Sequence, residues 1–85
     1  MEPEVAFGKV LRELRKRQEL SQEALAHQAN LERNYVSLLE RGLNSATVKT
    51  IFKLAPALEV TAAELLSMVE DRLKAELRQA KPRRR

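Results

Sequence analysis

The clearest local signals lie in residues 21–42, which read SQEALAHQANLERNYVSLLERG. Ser21 is a typical N-cap residue, because its hydroxyl can accept a hydrogen bond from a backbone N–H in the first turn of a helix. The pattern that follows predicts a helix from about Gln22 to Ala29. Asn30 tolerates the left-handed backbone of a helix end, so it can begin a turn. These residues therefore predict a short helix followed by a tight turn.

A second short helix is predicted from about Glu32 to Arg41, and Gly42 ends it. With Val36 and Leu39 turned inward, a rotation of about 100° per residue leaves mainly polar side chains on the other face. The inward side of the two-helix unit consists of Leu25, Ala26, Leu31, Val36 and Leu39. Two helices joined by a tight turn, with one free face on the second, form the helix-turn-helix that reads DNA.

The outward face of the second helix has side chains suited to reading base edges. Arginine can form two hydrogen bonds to guanine O6 and N7, and asparagine can do the same with adenine N6 and N7. Serine or an apolar side chain can meet a base edge or a thymine methyl group. The base-reading candidates are Arg33, Asn34, Ser37 and Leu38. The candidates for contacts to the DNA backbone are Gln22, Tyr35, Arg41 and Asn44.

Several of these side chains have a plainer alternative that the residues alone leave open. Arg33, Asn34, Ser37 and Leu38 could be ordinary solvated surface residues. Tyr35 could pack its ring against the first or second helix and expose only its hydroxyl. The whole segment could also be an ordinary helical hairpin that binds nothing.

Over roughly residues 7–66 the chain resembles the phage-repressor and Cro family of bacterial helix-turn-helix regulators. The resemblance lies in the segments FGKVLRELRKR, LSQEALA, RNYVSLLERG, TVKTIFKLAPALEV and TAAELL. It implies an all-α fold, a compact five-helix bundle of the phage-repressor DNA-binding type with an extended C-terminal helix. Within the family, LERNYVSLLERG with a downstream TVKTI is most similar to the small controller proteins of restriction-modification systems.

The resemblance implies a sequence-specific DNA-binding transcriptional regulator that binds a palindromic operator as a homodimer. A controller protein would regulate its own gene and a restriction-modification operon. The expected partners are double-stranded DNA, a second copy of the chain, and either RNA polymerase or a partner protein. The competing interpretation is an antitoxin-like protein-interaction module that binds DNA mainly together with a partner protein.

Individual roles are also implied by the resemblance. Gln22 would contact a phosphate, and Tyr35 would lie near the DNA backbone. The residues that would face bases are Arg33, Asn34 and Ser37. Arg15 and Glu40 match positions that the family commonly joins in an ion pair between the first helix and the recognition helix, although they could be two unrelated surface charges.

Three positions depart from the family pattern. Asn30 replaces the usual glycine, Ala46 replaces the usual proline, and Glu32 replaces the usual serine or threonine cap. Glu32 matters most, because a carboxylate beside the major groove would repel phosphate unless Arg33 or a cytosine amino group offsets it.

The first and fourth helices are predicted from their apolar spacing and from local breakers. The first runs from about Glu4 to Gln18. Its buried stripe consists of Phe7, Val10, Leu11 and Leu14. The fourth follows a cap at Thr47 and is expected to bury Val48, Ile51, Phe52, Leu54 and Ala55. Pro56 predicts a kink, or an early end followed by a turn to Glu59.

A fifth helix is predicted from the capping-box pair Thr61 and Glu64 to about Gln79. Its apolar stripe consists of Leu65, Leu66, Val69, Leu73 and Leu77. This stripe extends past the part that the first four helices would cover, and an uncovered stripe needs a partner. The expected homodimer interface consists of Leu65, Met68, Val69 and Leu73. Such a dimer would place two recognition helices roughly 34 Å apart on DNA.

Chain length and charge support one domain with a basic end. Residues 1–80 are expected to form the DNA-binding domain, and residues 81–85, KPRRR, a basic tail that either contacts phosphates or is merely solvated. Residues 74–85 have six basic side chains and one acidic one, a net charge of +5. The whole chain has a net charge of +4, so the other 73 residues have −1. The DNA-binding interpretation therefore depends on where the basic groups lie.

Other function classes find little support. The absence of cysteine excludes disulfides and the usual zinc fingers. His27 is the only histidine, and it lies on the polar side of its helix, so we expect neither a metal site nor an acid–base pair. We expect no enzyme activity and no cofactor. With no signal peptide and no apolar run long enough to cross a membrane, a cytoplasmic protein is expected.

Overall fold

Five α-helices account for most of residues 1–80, which are the residues that the computed structural model describes. They are α1 (Pro3–Arg17), α2 (Gln22–Ala29), α3 (Arg33–Glu40), α4 (Val48–Ala57) and α5 (Ala62–Ala80). No strand occurs among these residues, so the prediction of an all-α, five-helix fold is confirmed. The basic tail predicted at residues 81–85 lies outside the described part of the chain.

The helices next to the central turn begin and end as the sequence predicts. Ser21 Oγ accepts a hydrogen bond from the backbone N–H of Ala24 at 3.0 Å. Thr47 Oγ1 accepts one from the backbone N–H of Thr50 at 3.1 Å. Asn30 ends α2 in the left-handed conformation, with a φ of 57°. The caps satisfy backbone groups that would otherwise lack a partner, and they fix where α2 and α4 begin.

The connection between α4 and α5 also follows the prediction. Pro56 lies in the last turn of α4, and the helix ends one residue later at Ala57. Glu59 then turns the chain with a φ of 61°. Thr61 and Glu64 form the capping box. The Thr61 hydroxyl accepts a hydrogen bond from the backbone N–H of Glu64 at 3.0 Å, and the Glu64 carboxylate accepts one from the backbone N–H of Thr61 at 2.8 Å.

The core lies where α1 packs against α3 and α5, and where α2 packs against α3 and α4. The most deeply buried side chains are Val10, Leu11, Leu14, Leu25, Val36, Leu39, Leu54, Leu58 and Leu65. Burying one such side chain stabilises a fold by about 1.5–3 kcal/mol. The core thus holds α2 and α3 in a fixed position relative to α1.

The predicted buried face of α4 is wrong at two positions. Val48 and Phe52 are 71% and 65% exposed. The apolar pattern of this helix spans a wider arc than the core covers, since α4 packs only along the side that faces α2 and α5. The buried residues of α4 are Thr50, Leu54 and Ala55, with Ile51 half-buried beside them. An apolar face of α4 is consequently left in contact with solvent.

The core of the same chain covers more of the apolar stripe of α5, towards its C-terminal end, than the sequence predicts. Leu65 and Val69 are buried in the core of the same chain, packed with residues of α1. Met68 and Leu73 are half-buried against that core. The predicted dimer interface is therefore wrong for Leu65, because a fully buried side chain leaves no surface for a second copy, whereas Val69 is 7% exposed and lines an open groove. The large apolar side chains that remain exposed on α5 are Leu66 and Leu77.

Candidate DNA-binding surface

The outward face of α3 has the composition that the helical spacing predicts. Val36 and Leu39 are fully buried, which fixes the rotation of the helix about its axis. Arg33 and Asn34 are exposed in the first turn. The other two base-reading candidates, Ser37 and Leu38, are half-buried. One free surface of α3 therefore presents all four side chains predicted to read bases.

Arg15 and Glu40 form the predicted ion pair between α1 and the end of α3. The Arg15 guanidinium donates to both carboxylate oxygens, with Nε to Oε2 at 2.5 Å and Nη2 to Oε1 at 3.0 Å. Its third nitrogen, Nη1, donates to the carbonyl oxygen of Leu20 at 2.9 Å. The alternative of two unrelated surface charges is thus wrong.

Gln22 joins this network from the first turn of α2. Its Nε2 donates to Glu40 Oε1 at 3.0 Å, so one carboxylate receives hydrogen bonds from two helices. A glutamine amide has two N–H donors and a carbonyl acceptor, so the half-buried Gln22 keeps polar groups for a second partner. The contact fixes the start of α2 relative to the end of α3.

Gly8 sets how closely α1 and α3 approach, a role that the sequence reasoning missed. A Cβ atom placed on Gly8 would lie 2.3 Å from the carbonyl oxygen of Leu39 and 2.6 Å from that of Glu40. Any other residue would therefore push the two helices apart. The available signal was a glycine inside an amphipathic helix, between the apolar residues Phe7 and Val10.

The hydroxyl of Tyr35 points towards α4. It lies 3.4 Å from Thr50 Oγ1, which in turn accepts a hydrogen bond from the Thr47 hydroxyl at 3.1 Å. The Tyr35 ring is half-buried against the core. The hydroxyl of Tyr35 consequently lies at the N-terminal end of α4, where the backbone N–H groups of the first turn give that end a partial positive charge.

Further polar groups surround α3 at both ends. Arg41 is the C-cap of α3, Asn44 lies in the connection to α4, and Lys49 lies in the first turn of α4. All three are exposed. At the other end Glu32 is the N-cap of α3 and is exposed as well. The basic side chains near the recognition helix therefore belong to α3, its C-cap and α4.

The described part of the chain lacks the residue cluster that a metal site would need. His27 is exposed on α2. Residues 1–80 contain no group of three or more histidine, cysteine, aspartate or glutamate side chains placed to hold a metal ion. None of the helices described is long and apolar enough to pass through a lipid bilayer.

Comparison with known sequences matches the part of the chain that contains α2, α3 and α4. A helix-turn-helix family model, HTH_3, matches residues 11–65. Control protein C.MunI from Mycoplasma sp is 37% identical to the chain over 67 residues, which span 78% of this chain and 90% of C.MunI.

Solved structures agree with these matches. The restriction-modification controller protein C.AhdI from Aeromonas hydrophila is 47% identical, with a TM-score of 0.71 over 73% of this chain and 94% of its own. The clp gene regulator ClgR from Corynebacterium glutamicum has a TM-score of 0.87 over 93% of this chain and 84% of its own. ClgR is only 23% identical, so this likeness supports the fold alone.

Proposed function

The chain belongs to the helix-turn-helix family of DNA-binding transcription regulators, and on this premise we propose that it binds a palindromic operator as a homodimer. The operator would lie ahead of the chain's own gene in a restriction-modification operon, in keeping with the similarity to control protein C.MunI and controller protein C.AhdI. The observation that supports this proposal best is the free face of α3, whose exposed first turn is held in place by the buried anchor at Glu40.

Base reading is assigned to the first turn of α3 and the residues just behind it. Side chains near the N-terminus of a recognition helix reach base edges in the major groove. Arg33 suits guanine and Asn34 suits adenine. Ser37 and Leu38 lie one turn further along, where they would meet a base edge or a thymine methyl group.

Contacts to phosphates would set the position of α3 on the duplex. The residues proposed for this role are Gln22, Tyr35, Arg41 and Asn44. They surround α3 on three sides, at the start of α2, towards α4 and after its own C-terminus. Phosphate contacts fix register and orientation without reading sequence, so they complement the first turn of α3.

The homodimer interface is proposed on the exposed apolar face near α4. Val48 and Phe52 lie one helical turn apart on α4, and Leu66 is the exposed large apolar residue nearest the start of α5. Between α1, α4 and α5 lies an open groove of about 190 Å³, lined in part by Ile51 and Leu66. Exposed apolar side chains grouped on one face are typical of an interaction site.

A second copy of the chain is the occupant that we propose for this face. A two-fold interface uses the same patch on both subunits, so one apolar face per chain suffices. A domain of this size is also marginally stable alone, and burying Phe52 and Val48 would add stability. The two α3 helices could then meet successive major grooves, roughly 34 Å apart.

A gel shift with the DNA upstream of the chain's own gene tests the proposal. We expect the purified chain alone to retard this DNA at lower concentration than it retards unrelated DNA of equal length. Retardation only in the presence of the product of a neighbouring gene would favour the antitoxin-like module. Equal retardation of both DNAs would contradict a sequence-specific operator.

A further inference from the structure

Glu32 is the departure from the family pattern that the proposed function leaves without a role. Its carbonyl oxygen accepts hydrogen bonds from the backbone N–H groups of Tyr35 and Val36, each at 3.1 Å. These bonds fix its backbone at the start of α3. Its side chain is exposed and makes no capping hydrogen bond. Among the residues that the structure describes, it has no ion-pair partner either.

Three of the other four helices have what α3 lacks at this position, and α1, with Glu2 as its N-cap, lacks it too. Ser21, Thr47 and Thr61 each accept a hydrogen bond from a backbone N–H in the first turn of α2, α4 and α5. A side-chain cap of that kind stabilises a helix more than a glutamate that merely lies near the positive helix end. Among α2 to α5, only the recognition helix has a cap side chain that is free to contact another molecule.

The chemistry of a carboxylate restricts the base that it can face. An ionised carboxylate only accepts hydrogen bonds. In the major groove guanine offers two acceptors, thymine one acceptor, and adenine an acceptor beside its amino group. Cytosine is the only base whose own major-groove edge offers a donor, its N4 amino group, and no acceptor. Of the four bases, cytosine is therefore the best match for a free glutamate.

We propose that Glu32 accepts a hydrogen bond from the N4 amino group of a cytosine in each operator half-site, beside the bases that Arg33 and Asn34 face. This inference rests on the proposed function, because it requires a sequence that α3 reads. The same carboxylate repels phosphates on all DNA, and the hydrogen bond offsets this repulsion only where the cytosine is present. Glu32 thus increases the difference in affinity between the operator and other DNA more than it increases affinity itself.

Selection of binding sites from random DNA tests this role with three chains, the wild type, Glu32→Ser and Glu59→Gln. Glu32→Ser removes the carboxylate and supplies a residue that can cap α3, so its melting temperature should be at least that of the wild type. Glu59→Gln removes one charge at an exposed turn after α4 and serves as the matched control. We expect the wild type and Glu59→Gln to select cytosine at one position per half-site, and Glu32→Ser to select no base there.

A second measurement deletes the donor atom instead of the acceptor. In the selected operator the cytosine is replaced by 2-pyrimidinone, a base that lacks the 4-amino group. Wild-type affinity should fall roughly tenfold, as for the loss of one specific base contact. The affinity of Glu32→Ser for the two operators should be the same.

The possible results separate this inference from the proposed function. Identical sites selected by the wild type and Glu32→Ser would overturn the role of Glu32 and leave the operator in place. An equal gain in affinity of Glu32→Ser for all DNA would also overturn this role, because it would show that Glu32 merely repels phosphates. If Glu32→Ser lost a preference for adenine that the wild type shows, in place of one for cytosine, the assignment to cytosine would be overturned. A wild type that selects no sequence at all would overturn the proposed function as well.

Discussion

Arg15 on α1 holds Glu40, the last residue of α3, through two hydrogen bonds to one carboxylate. The side chains are only 11% and 3% exposed. A pair taken out of water in this way depends on both partners, because either charge left alone would be buried without compensation. The orientation of the recognition helix is consequently sensitive to single substitutions here.

Glu40→Ala should lower the free energy of unfolding by about 3 kcal/mol or more, since it leaves the Arg15 guanidinium buried and uncompensated. Urea denaturation followed by circular dichroism measures the change. The double variant Arg15→Met/Glu40→Leu should lose less, because no charge remains unpaired. As a control, Glu13→Ala removes the more exposed pair with Arg72 and should cost less than about 1 kcal/mol. Equal losses at the two pairs would contradict the importance of burial.

Gly8→Ala should destabilise the fold by about 1–3 kcal/mol, although alanine is the better helix former. The added methyl group would overlap the carbonyl oxygens of Leu39 and Glu40, so α1 and α3 would have to separate. Thermal unfolding measures the loss. Lys9→Ala changes the adjacent exposed position and should stay within about 0.5 kcal/mol of the wild type. An unchanged or raised melting temperature for Gly8→Ala would show that the helices can move apart freely.

Arg33→Ala should weaken binding to the selected operator by about 1–3 kcal/mol and have little effect on random DNA. The reason is that a base contact contributes only where its base is present. Arg41→Ala should instead weaken binding to all sequences and reduce the slope of log K against log salt concentration by about 1. Fluorescence anisotropy titrations at several salt concentrations measure both variants. Equal losses on operator and random DNA for Arg33→Ala would assign it to phosphates.

Phe52→Ser should convert the proposed dimer to a monomer, because it removes the largest exposed apolar side chain on α4. Sedimentation velocity at tens of micromolar gives the oligomeric state. Leu77→Ser removes an exposed leucine near the other end of α5 and should leave the dimer intact. A wild type that sediments only as a monomer would refute the homodimer, and a dimeric Phe52→Ser variant would place the interface elsewhere.

Local features of the fold could be predicted because their causes are local. The hydroxyl of Ser21, the left-handed backbone at Asn30 and the proline in α4 each act within a few residues, and the structure has all three where the sequence indicates. The inward side of α3 could also be predicted, since a helix with two strongly apolar positions at a spacing of three has only one stable rotation.

Features that depend on a neighbouring helix could not be predicted in the same way. Apolar spacing shows which side of a helix avoids water, but it does not show whether another element covers that side. The apolar pattern therefore places Phe52 in the core, although this side chain is exposed on α4. It also places Leu65 in a dimer interface, although the core of the same chain buries this side chain. The approach at Gly8 depends on two backbones far apart in sequence, so a glycine inside an amphipathic helix could indicate a close contact there but not that α3 makes it.

The contact at Gly8 also has a mechanical consequence. With the backbones of α1 and α3 this close, and Arg15 holding the end of α3, the recognition helix cannot tilt without moving the rest of the subunit. In the proposed dimer on DNA, any misfit between the two recognition helices and the pitch of the duplex would then be absorbed by the subunit interface or by the DNA. Flexible pyrimidine–purine steps between the half-sites would bend at the lowest cost, so base pairs that no side chain touches would influence affinity.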